Sequence, residues 1–162
     1  MAFKKIDSQG LTLVELMIAV MILAFVLVGL LETYIVCLEL IEISKNTSIA
    51  INNAQAKLEE IKNYSYSQIK TQYNKVPFDV TGITGKGVTY AFYCNNPSDC
   101  SDSYPQTSLL EIIASVSWKQ KNGKVIGEDK NLNGTLNVGE DTSPANGILS
   151  SPAEILTLIA QP

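Results

Sequence analysis

The stretch from Leu11 to Leu31 constrains this chain more than any other, because Thr12 and Glu15 are its only polar side chains. It is long enough to cross a bilayer as a helix, which takes roughly 20 apolar residues. A carboxylate inside hydrocarbon costs several kcal/mol, so an ionisable residue there marks a function by default. Lys4 and Lys5 precede the run, and the next lysine is Lys45. That asymmetry puts the N-terminus in the cytoplasm and the rest of the chain across the membrane. The run is too long for a secretory h-region, and no small-x-small cleavage site follows it. It therefore reads as a single-pass anchor.

Composition narrows what the anchored part does. At 162 residues there is room for one modest domain besides the apolar segment. A net charge of −4 and the lack of a long basic cluster argue against nucleic acid as a partner. The chain has no histidine, which removes the commonest general base, the usual triads and most zinc sites. Cys94 and Cys100 lie close together in the polar stretch CNNPSDC. They read as a disulfide in an oxidising compartment, with two free thiols as the alternative. Cys37 reads as a small packing residue near the outer end of the apolar helix.

The stretch KKIDSQGLTLVELMIAVMILA resembles the leader and helix start of type IV pilin-like proteins. The resemblance implies that prepilin peptidase cuts after Gly10 and methylates the new amine of Leu11. Glu15 then becomes the fifth mature residue and pairs, in a filament, with the amine of a neighbouring subunit. Pairing offsets much of the cost of a buried carboxylate. The plain alternative is an incidental charge that snorkels or is protonated. The chain departs from the family at Leu11, where phenylalanine is usual, and at Glu32, where many major pilins carry proline. The implied partners are prepilin peptidase, other pilin or pseudopilin subunits, the inner-membrane assembly platform and, before assembly, membrane lipid. The implied location is the bacterial inner membrane, then periplasmic or extracellular once assembled.

Helical periodicity continues beyond the apolar run. Ile43, Ala50, Ala54, Leu58 and Ile61 fall on one helix face, and no proline interrupts Leu11 to Tyr64. The lysines and glutamates between Lys57 and Lys62 read as a solvated face. Val88–Cys94, Leu109–Trp118 and Glu154–Ala160 read as strands, rich in β-branched and aromatic residues and bounded by turn formers. VPFDVTG reads as a short edge element or a loop. The expected class is α+β: a spine helix, half transmembrane and half amphipathic, packed on a small antiparallel sheet. The expected divisions are a leader (1–10), a hydrophobic helix (11–36), an amphipathic half (37–64) and a globular β domain (65–162). The later strands, SVSW and LTLIA, are similar to PilV-type minor pilins.

DKNLNGTLNVGE, Asp129 to Glu140, matches the calcium-loop pattern D-x-[DN]-x-[DN]-G-x5-E. Asp129, Asn131 and Asn133 would give side-chain oxygens, Thr135 its carbonyl, and Glu140 two oxygens to a structural Ca²⁺. Gly134 permits the sharp turn, and Asn137 could act directly or through water. The flanks read as strand and breaker, so the loop would brace a connection and not form an EF-hand domain. With two charged ligands the expected affinity is of order 10⁻⁴–10⁻³ M. An Asn/Gly-rich turn without metal is the alternative. GEDKNLNGTL recurs as GEDTSPANGIL, but the second copy lacks a glutamate at the matching end.

Four functions compete. A minor pilin and a type II secretion minor pseudopilin share the leader and the helix. A bitopic enzyme is disfavoured by the missing histidine and by the lack of a nucleophile–base arrangement. A membrane-anchored calcium-binding adhesin or sensor would need no processing at Gly10.

Overall fold

A computed structural model describes residues 12–142 and 145–161. Gly10 and Leu11 lie outside the described residues. The chain divides into two compact units, Met1–Ile41 and Glu42–Pro162.

The described part of the first unit is the start of helix α1, Leu13–Lys62. Thr12 begins it in the manner of an N-cap: its Oγ1 accepts the Glu15 backbone N–H at 3.2 Å. Glu15 lies in the first turn, where the helix dipole favours a negative charge. The large apolar side chains from Leu13 to Ile41 are exposed. By length and composition the helix can cross a membrane, and its most apolar window buries nothing against protein.

In the second unit α1 gains a covered face. Ala50, Ala54, Leu58 and Ile61 are buried on it, and Ile43 is half-buried. Two alanines at zero exposure let the helix backbone approach its neighbours closely. A short helix α2 follows at Tyr66–Tyr73 and buries Tyr66, Ile69 and Tyr73. Then come β1 (Val76–Asp79), β2 (Gly85–Asn96), β3 (Asp99–Ser101), β4 (Leu109–Lys119), β5 (Val125–Ile126) and β6 (Ala153–Ala160). All pairings are antiparallel. β2 and β4 form the centre, in register from Gly85–Trp118 to Cys94–Leu109. β1 and β3 share the other edge of β2, while β5 and β6 share the other edge of β4.

The central strands have period two, and both faces are covered. Ala91 and Tyr93 of β2, with Leu110, Ile112, Ala114, Val116 and Trp118 of β4, join the buried helix residues in one core. Val88, Tyr90 and Ile113 face the other way and pack with Ile148 and Leu149 from the connection between β5 and β6. This two-sided burial explains why LLEIIASVSW reads as a nearly continuous apolar run. Trp118 is fully buried, and among the described residues no partner meets its Nε1.

The charged face at Lys57–Lys62 is solvated as expected at Glu59, Glu60 and Lys62, and only Lys57 is partly covered. The Lys57 Nζ lies 5.1 Å from the centroid of the Tyr73 ring and 2.8 Å from Glu60 Oε1. A lysine stem packs well on aromatic surface while its head stays charged.

Cys94 and Cys100 form a disulfide between β2 and β3. The sequence separation is only 6, so it closes a small loop. Removing it with Cys94→Ser/Cys100→Ser will cost about 2 kcal/mol through loop-closure entropy. The change should appear as a lower thermal midpoint in the detergent-solubilised chain. The β2–β4 pairing does not depend on it, so far-UV dichroism should keep its native form.

Candidate functional site

Two regions carry the chemistry. The first is the start of α1, where Glu15 follows the Thr12 cap on an exposed apolar helix. The second is the connection between β5 and β6, which holds every residue of the calcium-type pattern.

That connection is built from side chains that accept backbone N–H groups. Asp129 is 2 % exposed. Its Oδ1 accepts the Asn133 N–H at 3.1 Å, and its Oδ2 accepts the Gly134 N–H at 2.7 Å. Asn131 Oδ1 also accepts the Asn133 N–H, at 3.0 Å, and Asn133 Oδ1 accepts the Thr135 N–H at 2.6 Å. Glu140 closes the loop, its Oε1 accepting the Lys130 N–H at 3.1 Å and its Oε2 the Asn137 N–H at 2.9 Å. Asn137 Nδ2 donates to the Thr135 carbonyl at 2.7 Å and to Glu140 Oε2 at 3.0 Å. Asp129, Asn131, Asn133, Thr135 and Glu140 are thus brought into one loop.

Gly134 is required where it stands. Its φ is +71°, in the left-handed region, and an added Cβ would collide with the Pro77 side chain. The loop is thereby seated against β1.

Burial alone would push the Glu140 carboxyl up. The Asn137 side chain and the N–H groups of Asn137, Asn131 and Lys130 outweigh it together and hold the carboxyl below its ordinary value. The carboxylate, amide and carbonyl oxygens are of the kind that hard cations take. Among the described residues no three His, Cys, Asp or Glu side chains form a metal-holding group. Amide and backbone oxygens would have to complete any coordination shell.

The second GED copy repeats the geometry of the first. Asp141 Oδ1 accepts the Asn146 N–H at 3.1 Å, its Oδ2 accepts the Gly147 N–H at 2.8 Å, and Asn146 Oδ1 accepts the Ile148 N–H at 3.1 Å. Gly147 has φ +76°, matching Gly134. The glutamate missing from the end of the second copy is supplied from the front of the first. Glu128 Oε1 accepts the Thr142 N–H at 3.1 Å, as Glu140 Oε1 accepts the Lys130 N–H. Each glutamate therefore binds the residue after the other copy's aspartate. Glu128 and Asp141 were not among the sequence-derived site residues. The GED repeat was their signal, but the exchange joins residues that linear matching keeps apart.

A membrane-length apolar helix followed by an α+β unit with an antiparallel sheet defines a membrane-anchored protein with a pilin-like fold. Residues 6–31 match the family described as the prokaryotic N-terminal methylation motif, which supports a type IV pilin-like protein. No curated protein and no solved structure matches the chain. The motif implies processing by prepilin peptidase and assembly with other pilin subunits.

Proposed function

We propose that this protein is a minor pilin-like structural subunit. It is cut after Gly10, methylated on the amine of Leu11, and assembled into a type IV pilus filament or used to prime one. The observation that carries this reading is the methylation motif at 6–31 overlying an exposed apolar helix with Glu15 in its first turn. Lys4 and Lys5 orient the anchor with its N-terminus cytoplasmic and the second unit in the periplasm. Glu15 pairs with the Leu11 amine of a neighbour, which sets register, because a carboxylate left alone in hydrocarbon is costly.

Glu15→Ala will insert in the membrane and still lose its leader. Its incorporation into filaments or initiation complexes will fall by about tenfold or more, since breaking a buried ion pair costs roughly 3–5 kcal/mol. Immunoblotting of sheared filaments and of the membrane fraction measures this. Wild-type incorporation of the mutant would refute the role of Glu15. The pseudopilin alternative predicts that the chain co-purifies with a secretion platform and is missing from surface filaments.

In the second unit, the loop from Asp129 to Glu140 binds Ca²⁺ as a brace for the long connection between β5 and β6. Support comes from the full match to the loop pattern and from Gly134 in the conformation such a turn demands.

A further inference from the structure

The lysines of the second unit divide sharply by partner. Lys57 pairs with Glu60, Lys62 with Glu59, Lys70 and Lys75 with Asp102, and Lys86 with Asp79. Lys130 donates to the Gly139 carbonyl at 3.0 Å. The ammonium groups of Lys45, Lys119, Lys121 and Lys124 have no carboxylate within salt-bridge distance among the described residues. Lys45, Lys119 and Lys121 line one cleft of about 320 Å³, with Glu42, Asn46 and Thr84 among its other walls. Glu42 Oε1 accepts the Lys121 backbone N–H at 2.9 Å, which ties the β4–β5 turn to the helix. In an acidic chain, the unneutralised positive charge gathers at one place.

That place has a defined position along the chain. Leu13 to Ile41 extends about 43 Å at 1.5 Å per residue, close to the roughly 40–45 Å of a bilayer with its headgroups. Glu32 falls about 29 Å along, near the edge of a hydrocarbon core of roughly 30 Å. Glu42 and Lys45 follow directly, at the outer limit of the headgroup layer. Glu32, Glu39 and Glu42 oppose an anionic surface, but Lys45, Lys119 and Lys121 in the cleft, with Lys124 in the adjoining turn, outnumber them. A lysine near such a surface is attracted within about one Debye length, roughly 8–10 Å.

We propose that the cleft of Lys45, Lys119 and Lys121 docks the second unit on the phosphodiester headgroups of anionic phospholipids in the leaflet from which α1 emerges. The inference rests on reading Leu13–Ile41 as a membrane anchor. Before assembly the contact holds the globular unit down on the membrane. Leaving the membrane for a filament means giving up this contact.

The test uses the full chain with Cys37→Ser and a single dye-labelled cysteine at Asn122→Cys, in the exposed β4–β5 turn. The Cys94–Cys100 disulfide stays intact. The protein is reconstituted in phosphatidylcholine vesicles, with or without one third phosphatidylglycerol, each doped with a headgroup-spin-labelled lipid. Quenching of the dye should be about twofold or more greater in the anionic vesicles. It should fall to the neutral-vesicle level in molar salt, and likewise in Lys45→Gln/Lys119→Gln/Lys121→Gln with unchanged far-UV dichroism. Equal quenching in both vesicles, or an unaffected triple variant, would overturn the proposal. So would energy transfer between labelled copies that follows protein density and ignores lipid charge, which would assign the patch to a second copy. Alkaline carbonate extraction separates the two readings. Release of the chain would defeat the anchor itself, whereas retention with flat quenching would defeat only the headgroup contact.

Discussion

Gly10→Val will leave the leader attached. The proposed cut is at the Gly10–Leu11 bond, and a residue with a branched side chain does not fit where a bare backbone is read. Mass spectrometry of membrane-extracted protein will show wild type beginning at methylated Leu11 and the variant at its original N-terminus. The consequence reaches further than processing. Without cleavage there is no amine at Leu11, so Glu15 has no cationic partner to find in a neighbour. Gly10→Val combined with Glu15→Ala should therefore assemble no worse than the poorer single mutant, since both remove the same pair. An uncut wild type in cells that possess the peptidase would sink the pilin reading.

Asp129→Ala will lower the thermal midpoint of the metal-free protein by about 10 °C. The side chain is almost fully buried, and both its oxygens accept backbone N–H groups. Truncation orphans the buried Gly134 N–H, at about 1–3 kcal/mol, and leaves the Asn133 N–H with Asn131 Oδ1 alone. At roughly 2–8 °C per kcal/mol, depending on domain size, the shift is large. Calcium should then separate the variants. At several millimolar Ca²⁺, an affinity of order 10⁻⁴–10⁻³ M stabilises wild type by about 1–2 kcal/mol. Asp129→Ala and Glu140→Ala should show neither that gain nor any heat in calorimetric titration of the detergent-solubilised chain. No stabilisation of wild type would remove the metal from the account and leave the loop as a hydrogen-bonded turn.

Acid should open the same loop. The folded Glu140 carboxyl sits below its unfolded value, so its contribution is fully present above the unfolded carboxylate pKa and is lost as pH falls through the folded one. The midpoint of Glu140→Gln should accordingly depend less on pH in the acid range.

Much of the architecture was legible in the sequence because it rests on long periodic signals. Ala50, Ala54, Leu58 and Ile61 recur at helical spacing and are buried together. The three long strands lie within a few residues of their expected bounds. What escaped notice was short. Helix α2 is polar, and its signal is only Tyr66, Ile69 and Tyr73 on one face. Strands β3 and β5 are too brief to show a period, and tertiary pairing with β2 and β4 creates them. VPFDVTG resolves as the edge strand β1, tolerating Pro77 because an edge needs fewer donors. The first calcium-type loop was visible as a motif. Its link to the second copy was not, because Glu128 and Glu140 reach across to each other's repeat in space.

That exchange bears on how the connection between β5 and β6 yields. Glu128 also accepts the Ser150 N–H through its Oε2, and Ile148 and Leu149 seal the sheet face beneath. Freeing Lys130 from Glu140 would slacken the anchor of the first copy, and freeing Thr142 from Glu128 the anchor of the second. The two copies are therefore held to each other at two separate points. In a filament of the kind proposed, tension across this segment would meet a clasp with two hooks, each of which has to be undone.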